Sequence, residues 1–335
     1  MYYKFLFTIS LMIGTLITIS SYSWMGMWMG LEINLLSMIP LISDSKNMMA
    51  SEAALKYFII QTMASTLLLF SIIMMSMKFM YQMNLITYFN LMFNTSLFIK
   101  MGAAPFHFWF PEVMEGLNWL NVIIMMTWQK LSPMILLTYS NTTPMYLIII
   151  ILFSMTISGI MGLNQTSMRK ILAYSSINHI GWMISSILLI EIVWFYYFIV
   201  YSIITINIAT MLYKFNIFHV NQLYVSMNQN LLFKLFFILN FLSLGGLPPF
   251  LGFFPKWLII QTLIYSNLFI IAFIMMIMTL MTLYFYLRIM FSTLLLSKTN
   301  LSFYKQPKID NNLLMAFNFI TMMGLLFTTF LFNLL

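Results

Sequence analysis

Long apolar blocks alternate with short polar breaks along the whole chain. Crossing the hydrocarbon core takes about 20 consecutive apolar residues in a helix. By that rule the pattern predicts an all-α chain of eleven membrane helices, near 4–22, 24–42, 52–77, 82–117, 119–139, 145–163, 168–190, 192–215, 232–264, 267–293 and 312–334. The longest polar connections are 43–51, 215–231 and 297–311, so no soluble domain interrupts the chain and 1–335 is expected to form one membrane domain. The fourth and ninth blocks are too long for straight spans. Each carries a Gly/Pro interruption, at 102–105 and at Gly245-Gly-Leu-Pro-Pro249. Proline removes a backbone donor and clashes with the preceding turn, so each block is expected to be two half-helices around an unwound turn.

The two interruptions resemble one another. Lys100-Met-Gly-Ala-Ala-Pro105-Phe-His-Phe-Trp-Phe-Pro111-Glu112 and Pro249-Phe-Leu-Gly-Phe-Phe-Pro255-Lys256 share the pattern Pro-Phe-x-x-aromatic-Phe-Pro-charge, and Pro105 and Pro249 lie 144 residues apart. The pattern predicts a first five-helix repeat over 1–143, a second over 144–293, and a linker with a C-terminal helix over 294–335. Five is odd, so the second repeat enters the membrane from the opposite side. Inverted repeats with paired broken helices are a transporter architecture, with the working site near the midplane.

Composition narrows the class. The chain has 335 residues, 62% apolar and 7% charged, with mean hydropathy +0.95; a soluble domain carries about 25% charge. The net charge of +8 therefore sets membrane orientation and is not a nucleic-acid signal. Lys4, Lys46, Lys56, Arg169, Lys170, Lys214, Lys234, Lys298, Lys305 and Lys308 fall on the side that holds the N-terminus, and Lys78 alone on the other. The N-terminus is thus expected on the positive-inside face and the C-terminus opposite. Met-Tyr-Tyr-Lys runs directly into the first span, and neither an Arg/Ser-rich transit peptide nor a small-residue cleavage site is expected. There is no cysteine, which excludes thiolate-ligated iron–sulfur clusters and disulfides. His107 and His179 are the minimum for a bis-histidine haem, but nothing else suggests a haem pocket. No GxGxxG or P-loop pattern occurs. Thirty-five methionines without a cysteine give the look of an organellar, AT-biased coding history.

Charges inside spans carry the candidate chemistry, because a charged side chain at the bilayer centre costs about 2.5–3.5 kcal/mol on insertion scales. Glu32, in Trp-Met-Gly-Leu-Glu32-Ile-Asn, is too deep to snorkel; it reads as a proton site or a protonated interhelical carboxyl. Lys100 abuts the unwound turn, whose freed carbonyls can solvate its ammonium; the bland alternative is a structural cap. Lys130, in Thr-Trp-Gln-Lys130-Leu-Ser-Pro, is expected at the centre of the fifth helix, as a proton carrier or one half of a structural ion pair. Lys256 lies about eight residues from its helix end and can partly snorkel. His107 follows the break and is expected beside Lys100; His107 and His179, in Ser-Ser-Ile-Asn-His179-Ile-Gly-Trp, titrate near neutrality but equally suit structural hydrogen bonds. Glu112 and Glu115 are expected at a watered helix end, Arg169-Lys170 in a loop, and Glu191 at a helix mouth. Desolvated lysines and carboxyls change their proton affinity with pairing, so the row reads as an intramembrane proton or cation path.

Met-Gly-Leu-Glu32-Ile-Asn-Leu-Leu-Ser, Lys100-Met-Gly-Ala-Ala-Pro-Phe-His-Phe-Trp, Thr-Trp-Gln-Lys130, Ser-Ser-Ile-Asn-His179 and Leu-Gly-Gly-Leu-Pro-Pro-Phe-Leu-Gly-Phe-Phe-Pro-Lys256-Trp span most of the chain. Together they resemble the antiporter-like membrane subunits of mitochondrial NADH:ubiquinone oxidoreductase, respiratory complex I. The resemblance implies proton pumping through Glu32, Lys100, Lys130 and Lys256, which stand where that family has a glutamate, two lysines and a third basic residue on a broken helix. It implies a chain starting three helices late relative to fourteen-helix bacterial relatives. It also implies a multi-pass place in the mitochondrial inner membrane with the N-terminus in the matrix, among other membrane-arm subunits and membrane lipids. NADH, FMN, iron–sulfur clusters and ubiquinone are then expected on other subunits, with no cofactor or metal on this chain. A stand-alone cation/proton antiporter of the same fold is the alternative reading, and a scaffold without a proton path is a third.

Overall fold

The computed structural model describes residues 2–44, 46–77, 83–140, 143–226 and 231–295, with 318, 319, 321 and 324 beyond them. Among the described residues the chain is helical throughout. The one β feature is an isolated antiparallel bridge between Ser167 and His219. The helices run α1 (Tyr2–Ser20), α2 (Trp24–Ile42), α3 (Met48–Ser76), α4 (Met83–Met101), α5 (Trp109–Gly116), α6 (Trp119–Met126), α7 (Trp128–Tyr139), α8 (Pro144–Gly162), α9 (Met168–Leu189), α10 (Glu191–Lys214), α11 (Val220–Ser226), α12 (Leu231–Gly245), α13 (Phe253–Tyr265) and α14 (Phe269–Leu295).

Among the described residues seven segments are long and apolar enough to cross a membrane: α1, α2, α3, α6 with α7, α8, α10 and α14. The other predicted spans differ from these for physical reasons. The fourth and ninth are divided, into α4 and α5 and into α12 and α13. The seventh, α9, carries Ser175, Ser176, Asn178, His179, Ser185 and Ser186, and all six are buried. A helix enclosed by protein needs no lipid-compatible surface. The eleventh, 312–334, lies almost wholly outside the described residues.

Local chemistry moves several boundaries from their expected places. Asn47 caps α3 by accepting the Met49 amide at 3.2 Å, so that helix starts at Met48, before the expected 52. The predicted fifth helix is interrupted at Thr127, whose hydroxyl donates to the Ile123 carbonyl at 2.7 Å and whose backbone turns to φ −111°, ψ −72°. Threonine back-bonding to the preceding turn bends a helix. Arg169 and Lys170 lie in the first turn of α9 rather than in a loop, with the Arg169 guanidinium 4.7 Å over the Phe218 ring. The 215–231 connection contains the short α11.

The chain forms two compact units, Met1–Phe153 and Ser154–Leu335. In the first, α3 packs against α2, α4 and α5, α1 against α2, and α7 against α4. Met38, Ala64, Leu97, Phe98, Phe110, Val113 and Met126 fill its core. In the second, α9 is the buried axis, with α10, α13 and α14 around it, and Trp182, Phe237, Phe241, Phe285 and Tyr286 are enclosed.

Candidate functional site: two broken helices and their lysines

Both interruptions use the same turn. Gly102 and Gly246 adopt φ +72° and +76°, a left-handed conformation open to glycine at little cost. In the first unit the Ala103 amide donates to Phe98 O at 3.0 Å and the Gly102 amide to Ile99 O at 3.2 Å. In the second, the Leu247 amide donates to Leu242 O at 3.4 Å and the Gly246 amide to Ser243 O at 3.0 Å. Each is a Schellman cap that closes one half-helix. The prolines that follow, Pro105 and Pro249, prevent the backbone from resuming a helix at once.

The freed carbonyls are satisfied differently in the two units. In Met1–Phe153 the Trp109 indole donates to Ile99 O at 3.0 Å and the Gln61 amide to Lys100 O at 3.3 Å. In Ser154–Leu335 the Lys256 ammonium reaches back from α13 to Gly245 O at 2.8 Å and Leu244 O at 3.3 Å. Carbonyl solvation of an ammonium was expected for Lys100 and snorkelling for Lys256. The structure reverses both: Lys256 is the lysine held by the break, buried and turned inward, with its ammonium 5.8 Å from the Trp182 ring centroid.

Lys100 has a different environment. Its Nζ is buried, and among the described residues no atom lies in hydrogen-bonding position and no carboxylate oxygen within 4.0 Å. It faces a small polar cavity whose walls include Asn34, Tyr57, Gln61, Gln129 and Ser132. The space open to a water-sized molecule is about 20 Å³, enough for one water. Glu32 is half-buried on α2 beside the cavity residues Leu31 and Asn34. Asn34 Oδ1 accepts from the Gln129 amide at 3.0 Å, tying α2 to α7 across the cavity. Glu32 makes no direct ion pair with Lys100.

Lys130 lies in the first turn of α7, just after the Thr127 bend and near the middle of the Trp119–Tyr139 segment, as expected. It is 1% exposed, and its ammonium stands 5.5 Å from the centroid of Phe110, which belongs to the aromatic run after the first break. Pro133 lacks an N–H, so the Gln129 carbonyl loses its intrahelical donor at the same place.

His107 is buried in the unwound turn, with Nδ1 3.3 Å from Pro105 O and its ring 4.4 Å from that of Phe108. His179 is buried on α9, with Nδ1 2.7 Å from the Tyr197 hydroxyl and its ring 4.9 Å from that of Tyr201. Glu112 is exposed, as expected, and forms an ion pair of 2.8 Å with Lys56, which also pairs with Glu52 at 2.9 Å. Glu191 is exposed at the start of α10.

Sequence reasoning passed over Asn34, Gln61, Gln129, Ser132 and Tyr197. Asn34 and Gln129 carried a signal, since each is a neutral polar residue close to a charged one inside an apolar span. Gln61 and Tyr197 did not, because only packing brings them to their partners.

A sequence profile described as "NADH:quinone oxidoreductase/Mrp antiporter, TM" matches residues 21–282. Two relatives, both named NADH-ubiquinone oxidoreductase chain 2, come from Anopheles gambiae and Locusta migratoria. The first is 50% identical over 327 residues, covering 96% of this chain and 95% of the relative. The second is 45% identical over 329 residues, covering 97% and 96%. Among solved structures, a chain of respiratory complex I from Thermus thermophilus with bound aureothin superposes with TM-score 0.88 at 22% identity, over 97% of this chain and 78% of that one. A chain of the Mrp complex from Dietzia sp. DQ12-45-1b gives 0.84 at 14%, over 97% and 75%. At those identities the likeness is one of fold. The profile and the relatives together establish that this chain belongs to the NADH:quinone oxidoreductase/Mrp antiporter family of membrane proteins.

Proposed function

We propose that this chain is a proton-translocating subunit of the membrane arm of respiratory complex I, seated in the mitochondrial inner membrane with its N-terminus in the matrix. The observation that carries this reading is Lys100: an ammonium buried without a protein partner, facing a polar cavity with room for one water. A buried amine in that setting is either hydrated or neutral, so a modest change in its surroundings moves its proton. Glu32 is the charge that biases it. Lys130 is the next basic site within the same unit, and Lys256, which has carbonyl partners, holds a proton in the other. His107 and His179 are auxiliary proton sites. The redox steps, with NADH, FMN, iron–sulfur clusters and ubiquinone, belong to other subunits, and this chain contributes the membrane path.

The architecture proposed with this function is eleven spans in one membrane domain: inverted five-helix repeats over 1–143 and 144–293, and a final helix within 294–335. Its support is the shared Schellman turn at Gly102 and Gly246, 144 residues apart, and the skew of Lys and Arg to one side.

The deciding experiment is Lys100→Met in the assembled complex, with proton translocation per electron pair measured in sealed vesicles. The expected result is intact assembly with a lower ratio. An unchanged ratio would sink the proton-path reading and leave a scaffold.

The fold likeness to the Mrp complex supports a second reading, a cation/proton antiporter acting outside a redox assembly. Extraction in mild detergent separates the two: co-migration with NADH-oxidising activity at very high mass supports the first, and migration without it the second.

A further inference from the structure

The unit Ser154–Leu335 contains a cavity of about 560 Å³ that the proposed proton path leaves unused. Its walls come from three places: residues 164–166 between α8 and α9, residues 219–224 after α10, and residues 288–292 near the end of α14. All three lie where spans end, so the cavity opens at a membrane boundary. Arg288 stands seven residues before Leu295, the last residue of α14, or about 10 Å along the axis at 1.5 Å per residue. That is within snorkelling reach of the headgroup layer.

The walls are held in place. The bridge between Ser167 and His219 is flanked by the Met168 amide donating to Phe218 O at 2.9 Å and the Val220 amide donating to Thr166 O at 3.1 Å. The Phe218 and His219 amides both donate to Gln222 Oε1, at 2.7 and 3.2 Å. Arg288 Nη2 donates to Gln165 O at 3.3 Å, which fixes the guanidinium while leaving it further donors. Arg288, His219, Asn164, Asn221 and Tyr224, whose side chains carry donors, are among the lining residues, and no carboxylate lies among the described residues that line it. Arg169, Lys170 and Lys214 sit at neighbouring span ends and add positive potential. A planar guanidinium with surrounding neutral donors suits a phosphate group. The volume falls in the range of small-molecule sites, about 300–1,000 Å³, so there is room for the alcohol esterified to the phosphate as well.

We propose that this cavity is a binding site for a phosphate ester at the membrane boundary, with the Arg288 guanidinium on the phosphate and His219, Asn221 and Tyr224 around it. A phospholipid headgroup and a soluble phosphate compound share this chemistry. The readout is carbethoxylation of His219 by diethylpyrocarbonate in the detergent-solubilised native assembly, followed by peptide mass spectrometry. Dihexanoyl phosphatidylglycerol is expected to slow His219 modification by about tenfold near saturation, since the free fraction falls with occupancy. Dihexanoylglycerol, which lacks the phosphate, is expected to leave the rate unchanged. Inorganic phosphate is the third arm: protection comparable to that of the lipid assigns the site to soluble phosphates, and protection by the lipid alone assigns it to a headgroup. Arg288→Gln should abolish protection. Asn221→Asp, which adds a negative charge to the wall without touching the Arg288–Gln165 bond, should do the same and serves if the first variant fails to assemble. Equal rates with phosphatidylglycerol and dihexanoylglycerol, or protection undiminished in Asn221→Asp, would overturn the proposal. Neither outcome bears on proton pumping, which this readout does not involve.

Discussion

The Lys256 ammonium donates to the carbonyls of Gly245 and Leu244, whereas the Lys100 ammonium has no hydrogen-bond partner among the described residues and faces the Asn34–Gln129 cavity. The two lysines should therefore respond differently to removal. Lys256→Met leaves two buried carbonyls without donors, each costing about 1–3 kcal/mol when unsatisfied. The solubilised assembly should unfold at a lower temperature, and Lys256→Arg, which keeps donors, should recover part of the loss. Lys100→Met strands nothing; its thermal midpoint should stay close to the parent while proton translocation falls. Glu32 makes no direct ion pair with Lys100, so Glu32→Gln should cost less than the roughly 3–5 kcal/mol of a broken buried pair. If the two act as one switch across the cavity, the Glu32→Gln, Lys100→Met double variant should pump no worse than either single one. Fully additive losses in proton stoichiometry would show independent sites.

The breaks in the helices depend on single glycines more than on the prolines that first marked them. Gly246 combines φ +76° with close approach, because a Cβ there would stand 2.7 Å from Lys256 Cδ. Gly246→Ala thus adds backbone strain, about 1–2 kcal/mol for a left-handed residue, and also displaces the lysine from its carbonyls. The expected outcome is a larger loss of thermal stability than Lys256→Met produces, together with impaired pumping; a midpoint equal to the parent's would mean that the turn is not held as described. Gln61 plays the matching part in the first unit, where Lys100 O accepts from its amide. Gln61→Leu leaves that carbonyl without its donor and makes one wall of the Lys100 cavity apolar. Proton translocation should fall with assembly preserved, and an unchanged ratio of protons to electrons would remove the cavity from the path.

At the scale of the whole molecule the open matter is topology. Ser45 and Asn141 lie outside the described residues, yet an odd number of proposed spans separates them, so Ser45→Cys should react with an impermeant thiol reagent from the matrix side and Asn141→Cys from the other. Reaction of both from one side would end the inverted-repeat proposal. Much of this protein was decided by sequence alone. Apolar block length marked the seven membrane-length segments among the described residues, Gly and Pro in two long blocks marked the breaks at Gly102 and Gly246, and the scarcity of charge inside the blocks singled out Glu32, Lys100, Lys130 and Lys256 as candidates. These signals are local: each arises from one stretch of chain meeting lipid or losing a backbone donor. What only tertiary structure decided is partnership. Lys256, not Lys100, caps the freed carbonyls; Glu32 stands apart from Lys100; Thr127 bends the fifth span just before Lys130; and α9 bears a run of polar side chains because it is enclosed by protein. Each depends on atoms brought together from distant helices, where distance and desolvation, which no spacing in the sequence encodes, determine which hydrogen bond forms.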